Sequence, residues 1–204
     1  MSSKSCLKLP REYTVDPQSG LIAPARICLS PNRDARPSGA PLGMIVLHGI
    51  SLPPGVFGGP EIDALFLNQL DWDAHPYFGE IRGLRVSSHL LIRRNGELVQ
   101  YVPFHERAWH AGESRFRGQA RCNDFSIGIE LEGEDETPYD DCQYHVLTSV
   151  LQALAAAYPG ITARELAGHC DVAPGRKTDP GPAFDWLRLY DALGKTAEKH
   201  DSCT

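Results

Sequence analysis

Histidine and aspartate side chains that could hold a metal ion lie in segments rich in glycine and proline. His48 ends the apolar run 43–48 and opens the loop 51–60, and His169 begins a charged, proline-rich segment that contains Asp179. A catalytic zinc ion usually takes three protein ligands and leaves one position for water. His169 and Asp179, which are ten residues apart, together with a distant strand-end histidine such as His48, satisfy this requirement. Spacing alone leaves open that the segment is only polar surface.

Two glutamates of one predicted strand are candidates for the acid–base group of such a site. Glu130 and Glu132 alternate with apolar residues along the run 125–132, as in a strand whose two faces differ. One of them could take a proton from an attacking water at about 3 Å, or both could simply face solvent. The helical His-Glu-x-x-His pattern does not occur in the sequence, so the metalloproteases that use it are excluded.

The composition is that of an acidic globular protein and excludes several classes of partner. The 204 residues include 26 acidic and 20 basic side chains, so the net charge is −6 with histidine neutral. This balance argues against nucleic-acid binding through phosphate neutralisation and against adhesion to anionic membranes. No apolar run reaches the 18 residues of a membrane span, and the N-terminal segment lacks the apolar core of a signal peptide. The six cysteines form no Cys-x-x-Cys pair, so no zinc ribbon or thioredoxin-like motif is present. Because no export signal is seen, we expect reduced thiols and a cytoplasmic protein.

Apolar periodicity and turn residues predict one α/β (α+β) domain. The expected elements are a buried strand at 43–48, a helix at 60–70, a hairpin about Asn95-Gly96, the strand 125–132 and a helix from the capping pair Asp140 and Gln143 to Pro159. They place a loop-rich lead-in at residues 1–42, the folded domain that contains the candidate site at 43–193 and a flexible tail at 194–204. The sequence contains no internal repeat and no second apolar core, so a single domain is expected.

Six segments of the chain resemble, in the same order, the AmpD amidases of bacterial cell-wall recycling. They are VLHGISLPPG (46–55), DAHPYF (73–78), LRVSSH (84–89), RAWHAG (107–112), CNDFSIGIELEG (122–133) and RKTDPGP (176–182). The resemblance implies a mixed central β-sheet flanked by helices, related to peptidoglycan-recognition proteins and phage amidases. It also implies a cytoplasmic enzyme that hydrolyses the amide between 1,6-anhydro-N-acetylmuramic acid and L-alanine of the stem peptide. The expected partner is thus an anhydro-muropeptide, and we expect a monomer.

The resemblance assigns roles to residues of the predicted site. It implies one Zn²⁺ per chain, bound by His48, His169 and Asp179. Glu130 rather than Glu132 matches the catalytic carboxylate of the family. His75, His89, His105 and His110 are expected to lie outside the metal ligands as hydrogen-bonded polar residues, and His110 is the one expected to line the site.

Further residues match positions that stabilise the transition state or bind substrate. Lys177 matches the lysine assigned to transition-state stabilisation. The positions that match substrate-binding residues of the family are Arg85 and Arg121, for carboxylates, and Trp109 and Tyr77, for aromatic contacts near the cleft. A local positive cleft for an anionic substrate is expected from the basic residues Arg85, Arg121, Arg176 and Lys177. Gly49 departs from the family, where asparagine often follows the first ligand, so affinity for the peptide is expected to differ.

Two alternatives stay open. A broader amidase could cleave intact peptidoglycan in the periplasm, against which the missing signal peptide argues. A non-catalytic peptidoglycan-sensing module could share the fold, but such modules often lose a metal ligand, and all the implied ligands are present here.

Overall fold

A computed structural model describes residues 12–194 of the chain. Its strands are β1 (Thr14–Asp16), β2 (Leu21–Ala23), β3 (Arg26–Ile27), β4 (Arg33–Ala35), β5 (Met44–Ile50), β6 (Leu90–Ile92), β7 (Leu98–Gln100), β8 (Glu106–Ala108), β9 (Arg115–Phe116), β10 (Gln119–Ala120), β11 (Ser126–Glu132) and β12 (Leu166–Gly168). Its α-helices are α1 (Glu61–Phe66), α2 (Pro76–Glu80), α3 (Asp141–Ala157), α4 (His169–Val172) and α5 (Trp186–Ala192), and short 3₁₀ turns occur at Cys122–Asp124 and Ala163–Glu165.

The central sheet is mixed and has six strands in the order β12-β5-β11-β6-β7-β3. The four strands from β12 to β6 run parallel to their neighbours, β6 and β7 are antiparallel, and β3 is parallel to β7. The sheet carries helices on its faces, so the expected α/β fold with a mixed central sheet is confirmed. The hairpin predicted at residues 95–96 joins β6 to β7, and Gly96 has a positive φ of 85°.

Strands β5 and β11 lie side by side within the sheet and are buried on both faces because the sheet is covered on both sides. Ile45 and Leu47 of β5 pack in the cluster that includes the apolar stripe of α3, whereas Met44 and Val46 point into a second cluster on the opposite face. This alternation is the two-residue period of a strand. The alternation over 125–132 predicts that Phe125 shares a face with Ile127 and Ile129, but Phe125 lies before β11 and packs in the second cluster, so this prediction was wrong.

Helix α3 is anchored to the sheet by a buried glutamine at its start. The side chain of Gln143 accepts a hydrogen bond from the backbone N–H of Asp140 at 3.0 Å, as the predicted capping pair requires. Its amide also donates to the carbonyl oxygens of Glu132 at 3.0 Å and Ile92 at 3.2 Å. One side chain therefore fixes the start of α3 against the ends of β11 and β6.

The segment before β5 contains more regular structure than a lead-in of loops. It holds β1 to β4, and β3 forms an edge of the central sheet. Residues 1–11 of the expected lead-in, and all of the expected tail 194–204 except Gly194, lie outside the described residues. None of the helices in residues 12–194 combines the length and apolar character that a membrane span needs.

The described cysteines differ in their oxidation state. Cys28, Cys122 and Cys170 are reduced, as expected, but Cys142 is disulfide-bonded, so the expectation of reduced thiols is wrong at that position. The sequence alone could not indicate this, because pairing depends on which cysteines the fold brings within bonding distance.

Candidate active site

The candidate site lies where three neighbouring parallel strands end. The register of β5 and β11 places His48 directly beside Glu130, and β12 pairs with β5 so that His169 follows at the same edge. Carboxyl ends of parallel strands meet at one edge of a sheet, and the loops that leave them surround a common crevice. The fold therefore brings together three residues that are far apart in the sequence.

Three potential ligand atoms converge at this edge. The Nδ1 atoms of His48 and His169 are 3.0 Å apart, and one Asp179 carboxylate oxygen lies 3.2 Å from the first and 3.0 Å from the second. A tetrahedral zinc ion with bonds of about 2.0 Å separates its ligand atoms by about 3.3 Å. Among the described residues, these three form the group of side chains that could hold a metal ion. The separations therefore fit one small cation with an open fourth position.

The protonation of the two rings also fits a cation. The Nε2 atom of His169 faces the carbonyl oxygen of Ala111 at 3.3 Å, and Nε2 of His48 faces His110 at 2.9 Å. Each neutral ring can thus carry its single hydrogen on Nε2 and turn the Nδ1 lone pair toward Asp179. Three electron-pair donors at such short distances repel one another unless a cation lies between them. Imidazole nitrogen and carboxylate oxygen are ligands that zinc commonly takes.

Burial determines the charge of the groups at this edge. Burial, the largest influence, lowers the pKa of His48 to about 4, so the ring is neutral near pH 7 and can act as a ligand. Burial alone would raise the pKa of Asp179, but hydrogen bonds with His169 and His48, which form when no cation lies between the groups, hold that pKa far below its usual range. His48 and Asp179 thus present a neutral nitrogen and an anionic oxygen.

Backbone hydrogen bonds hold the segment that carries Asp179. The N–H of Cys170 donates to the carbonyl oxygen of Asp179 at 3.0 Å, which ties this ligand to the helix that begins at His169. The hydroxyl of Tyr139 donates to the carbonyl oxygen of Pro180 at 2.9 Å. Gly168 makes the close approach possible, because a Cβ there would lie only 3.0 Å from the Pro180 ring. The proline-rich segment is therefore rigidly packed beside α4.

Glu130 and Glu132 are both buried but have different surroundings. Glu130 lines the cavity over the metal cluster; burial raises the pKa of its carboxyl well above the usual range, the Asp179 charge adds to this effect, and Lys177 opposes it. Glu132 accepts hydrogen bonds from the backbone N–H groups of Gly58 at 2.6 Å and Arg94 at 3.0 Å, and it pairs with Arg93 at 3.3 Å. Neither glutamate faces open solvent. Glu130 is the one available for acid–base chemistry.

The cavity above the cluster has a volume of about 760 Å³ and a wall of mixed character. One side is apolar and includes Leu52, Leu65 and Phe66. The charged residues of the wall are Arg176, Lys177, Glu130, Glu134, Asp135, Glu136 and Asp179. Acidic groups outnumber basic ones, so the expectation of a simply positive cleft is wrong for this wall.

The residues expected to bind substrate lie at different distances from this cavity. Tyr77 is half-buried in its wall. Trp109 lies outside the wall and hydrogen-bonds the Asp34 carboxylate with its side chain. Arg85 is exposed beside the wall residues Leu84 and Val86.

Arg121 is also exposed and outside the wall, and it pairs with Asp124 at 3.1 Å. Its backbone has a positive φ of 65°, which turns the chain into the following 3₁₀ turn. Neither Arg85 nor Arg121 lines the cavity, so their contact with substrate stays a prediction.

The four histidines that were expected to lie outside the metal ligands, His75, His89, His105 and His110, are not part of the candidate metal cluster. His75 is exposed and accepts a hydrogen bond from the Tyr77 N–H at 3.2 Å, and buried His89 accepts one from the Gly128 N–H at 3.0 Å. His105 is exposed. His110 is buried, lines the cavity and contacts the ligand His48 directly. Its expected place at the site is therefore confirmed by the geometry.

Tyr139 was not identified from the sequence, and it explains why position 49 holds glycine. A Cβ on Gly49 would lie 2.5 Å from the Tyr139 hydroxyl oxygen, which is closer than real Cβ contacts allow. The tyrosine thus occupies the space that a side chain at position 49 would need. The spacing of Tyr139 after the strand carries no signal of this contact, because it depends on how two distant loops pack.

Comparison with known proteins agrees with this geometry. The family model of the N-acetylmuramoyl-L-alanine amidases matches residues 38–182, which include every residue of the metal cluster. The chain belongs to this family of amidases. It is 59% identical over 178 residues to the 1,6-anhydro-N-acetylmuramyl-L-alanine amidase AmpD of Escherichia coli K12, and the match covers 87% of this chain and 97% of that protein.

Two solved structures are similar to this one. A crystal structure of a selenomethionine derivative of AmpD matches with a TM-score of 0.84 and 56% identity, covering 88% of this chain and 98% of that chain. A complex of the Escherichia coli amidase AmiD with anhydro-N-acetylmuramic acid-L-Ala-D-γ-Glu-L-Lys matches with a TM-score of 0.55 and 32% identity. That second match covers 79% of this chain and 62% of the AmiD chain.

Proposed function

We propose that the protein is a zinc-dependent amidase that cleaves the bond between 1,6-anhydro-N-acetylmuramic acid and L-alanine in cell-wall recycling. The observation that carries the proposal is the convergence of His48, His169 and Asp179 at 3.0–3.2 Å beneath a cavity also lined by Glu130 and Lys177. The names of the AmpD relatives and the ligand of the AmiD complex support the choice of substrate.

A zinc ion held by His48, His169 and Asp179 would supply Lewis-acid activation of the amide carbonyl and of water. Glu130 acts as the general base. Its burial and raised pKa suit a carboxylate that takes a proton from the attacking water and then delivers it to the departing alanine nitrogen. Protonation lets the alanine leave as a neutral amine. Without it, the leaving group would be a nitrogen anion, which is expelled only with difficulty.

Lys177 donates to the oxygen on which negative charge develops during attack. Lys177 is exposed, lines the cavity and lies two residues before Asp179, so its ammonium group can reach a substrate bound there. Stabilisation of developing charge is usually the largest single contribution to catalysis of acyl transfer. Tyr77, Trp109, Arg85 and Arg121 are proposed as substrate contacts at the wall and rim.

The decisive test is turnover of purified anhydro-muropeptide by metal-free and zinc-reconstituted protein. We expect activity only after zinc is restored, with one zinc per chain by elemental analysis. Intact sacculi serve as the competing substrate, since preference for them would favour a broader amidase. Full turnover by protein verified to be metal-free would refute zinc dependence, and zinc binding without any turnover would favour a sensing module.

We also propose that the protein acts as a cytoplasmic monomer. The reduced thiols of Cys28, Cys122 and Cys170 fit a reducing compartment, whereas the disulfide at Cys142 does not. Cell fractionation and light scattering of the purified protein test both points. Recovery in the periplasm, or a mass of two chains, would contradict them.

A further inference from the structure

His110 is a buried residue that contacts a proposed ligand but lies outside the metal cluster. Its Nδ1 is 2.9 Å from Nε2 of His48, and its Nε2 is 3.2 Å from the hydroxyl oxygen of Ser126. The Ser126 hydroxyl in turn lies 2.6 Å from the carbonyl oxygen of Cys122. These contacts form a continuous chain from a backbone carbonyl to the metal-binding edge.

The backbone carbonyl determines the direction of every hydrogen bond in this chain. The carbonyl oxygen of Cys122 can only accept, so it takes the single hydrogen of the Ser126 hydroxyl. The Ser126 oxygen must then accept from Nε2–H of His110. A neutral imidazole carries one N–H, so Nδ1 of His110 is an acceptor and receives the Nε2–H of His48.

Strand β11 is shaped to receive the His110 ring. A Cβ on Gly128 would lie 2.5 Å from this ring, so the ring occupies the space that the glycine leaves free. Ser126 is two residues earlier on the same face of the strand, where its hydroxyl meets the ring. The ring therefore has one packed position and one hydrogen-bonding direction.

We propose that His110 is a positioning residue that holds His48 in the Nε2–H tautomer and so keeps the Nδ1 lone pair turned toward the metal. The inference rests on the proposed zinc site and assigns a role to a residue that does not itself bind the metal. Hydrogen-bond partners of metal-bound imidazoles orient the ring and select its tautomer, and their loss typically weakens metal binding about 10–100-fold.

The test compares His110→Leu with His110→Asn. Leucine removes the acceptor for the His48 N–H, whereas the asparagine Oδ1 can accept at nearly the place of Nδ1. We measure zinc dissociation constants by competition with a chromophoric chelator, and visible spectra of the cobalt-substituted proteins. We expect about 10–100-fold weaker zinc binding and altered cobalt bands for His110→Leu, with affinity and spectrum restored toward wild type by His110→Asn.

Val150→Ala is the matched control. Val150 is fully buried in α3, so this variant loses core packing while the metal edge is untouched, and its zinc affinity should equal that of wild type. Wild-type affinity in His110→Leu, or equal weakening in the leucine and asparagine variants, would overturn the inference. If His110→Leu does not fold, Ser126→Ala takes its place, because it removes the hydroxyl that accepts Nε2–H and donates to the Cys122 carbonyl oxygen; unchanged zinc affinity there overturns the inference too.

Failure of the inference and failure of the proposed function are distinguishable. Wild-type protein that binds no zinc would overturn both. Tight zinc binding by wild type with no effect of the His110 and Ser126 variants would overturn the positioning role alone.

Discussion

Replacing Glu130 with glutamine is expected to lower kcat while the fold stays intact. The side chain keeps its size and its place at the cavity wall but can no longer take a proton from water. General acid–base groups contribute about 10²–10⁴-fold, which corresponds to about 2.7–5.4 kcal/mol in the barrier. We expect a loss of this size in kcat, with zinc still bound, since Glu130 is outside the ligand cluster.

The stability of the metal-free Glu130→Gln protein should be unchanged or higher. Burial raises the pKa of this carboxyl above its unfolded value, so the folded state disfavours the charged form and loses stability as the pH rises through that interval. A neutral amide does not carry this cost. Thermal unfolding of the metal-free proteins at pH 7 measures the difference.

Glu132→Gln is the matched variant on the same strand and should show the opposite pattern. Glutamine leaves Arg93 without its anionic partner and places an NH₂ group against the N–H of Gly58 or Arg94. Removing one partner of a buried ion pair costs about 3–5 kcal/mol. Glutamine keeps one carbonyl oxygen as an acceptor, so we expect the lower end of this range, a loss of about 3 kcal/mol in the free energy of unfolding. A loss of this size should lower Tm by roughly 6–12 °C in a domain of this size.

Steady-state kinetics on anhydro-muropeptide and thermal unfolding are measured on both variants in parallel. The reasoning is refuted if Glu132→Gln loses the greater part of kcat at a temperature where it is folded while Glu130→Gln keeps it. A large drop in Tm for Glu130→Gln would also contradict the proposed separation of roles.

Three further changes test other parts of the site. Asp179→Ala should abolish zinc retention and activity together, and normal zinc content with normal turnover would remove Asp179 from the ligands. Lys177→Ala should lower kcat more than it changes KM, as expected of a group that acts in the transition state; a pure KM effect would make it a substrate anchor. Gly49→Asn should destabilise the protein by about 1–3 kcal/mol through overpacking against Tyr139; in denaturant unfolding, the double variant with Tyr139→Phe should lose less than the sum of the single losses.

Much of the fold could be predicted from local patterns. Alternation indicated β11, the turn residues at 95–96 indicated the hairpin of β6 and β7, and the capping pair indicated the start of α3. These features depend on residues close in sequence, so their signals are local. The predicted helix at 60–70 was too long: α1 spans Glu61–Phe66, because Leu67 already ends it and Asn68 has a positive φ.

The two glutamates mark where local patterns stop being informative. A strand has a period of two, so Glu130 and Glu132 point to the same face and alternation cannot separate them. Their roles differ because Arg93 and the loop that contains Gly58 cover only Glu132. Both partners lie tens of residues away in the sequence, and neither carries a motif that indicates this contact.

The sequence by itself determined the kinds of chemistry available: imidazole, carboxylate and amine groups at strand ends and in a proline-rich loop, in the order of an amidase family. Only the tertiary structure decided which atoms meet. Parallel pairing of β5 with β11 and β12 brings His48, His169 and Asp179 to 3.0–3.2 Å, and the fold turns His110 toward His48. The physical reason is that a metal-binding triangle depends on ångström distances between distant segments, which the packing of the sheet and loops sets and which residue spacing does not encode.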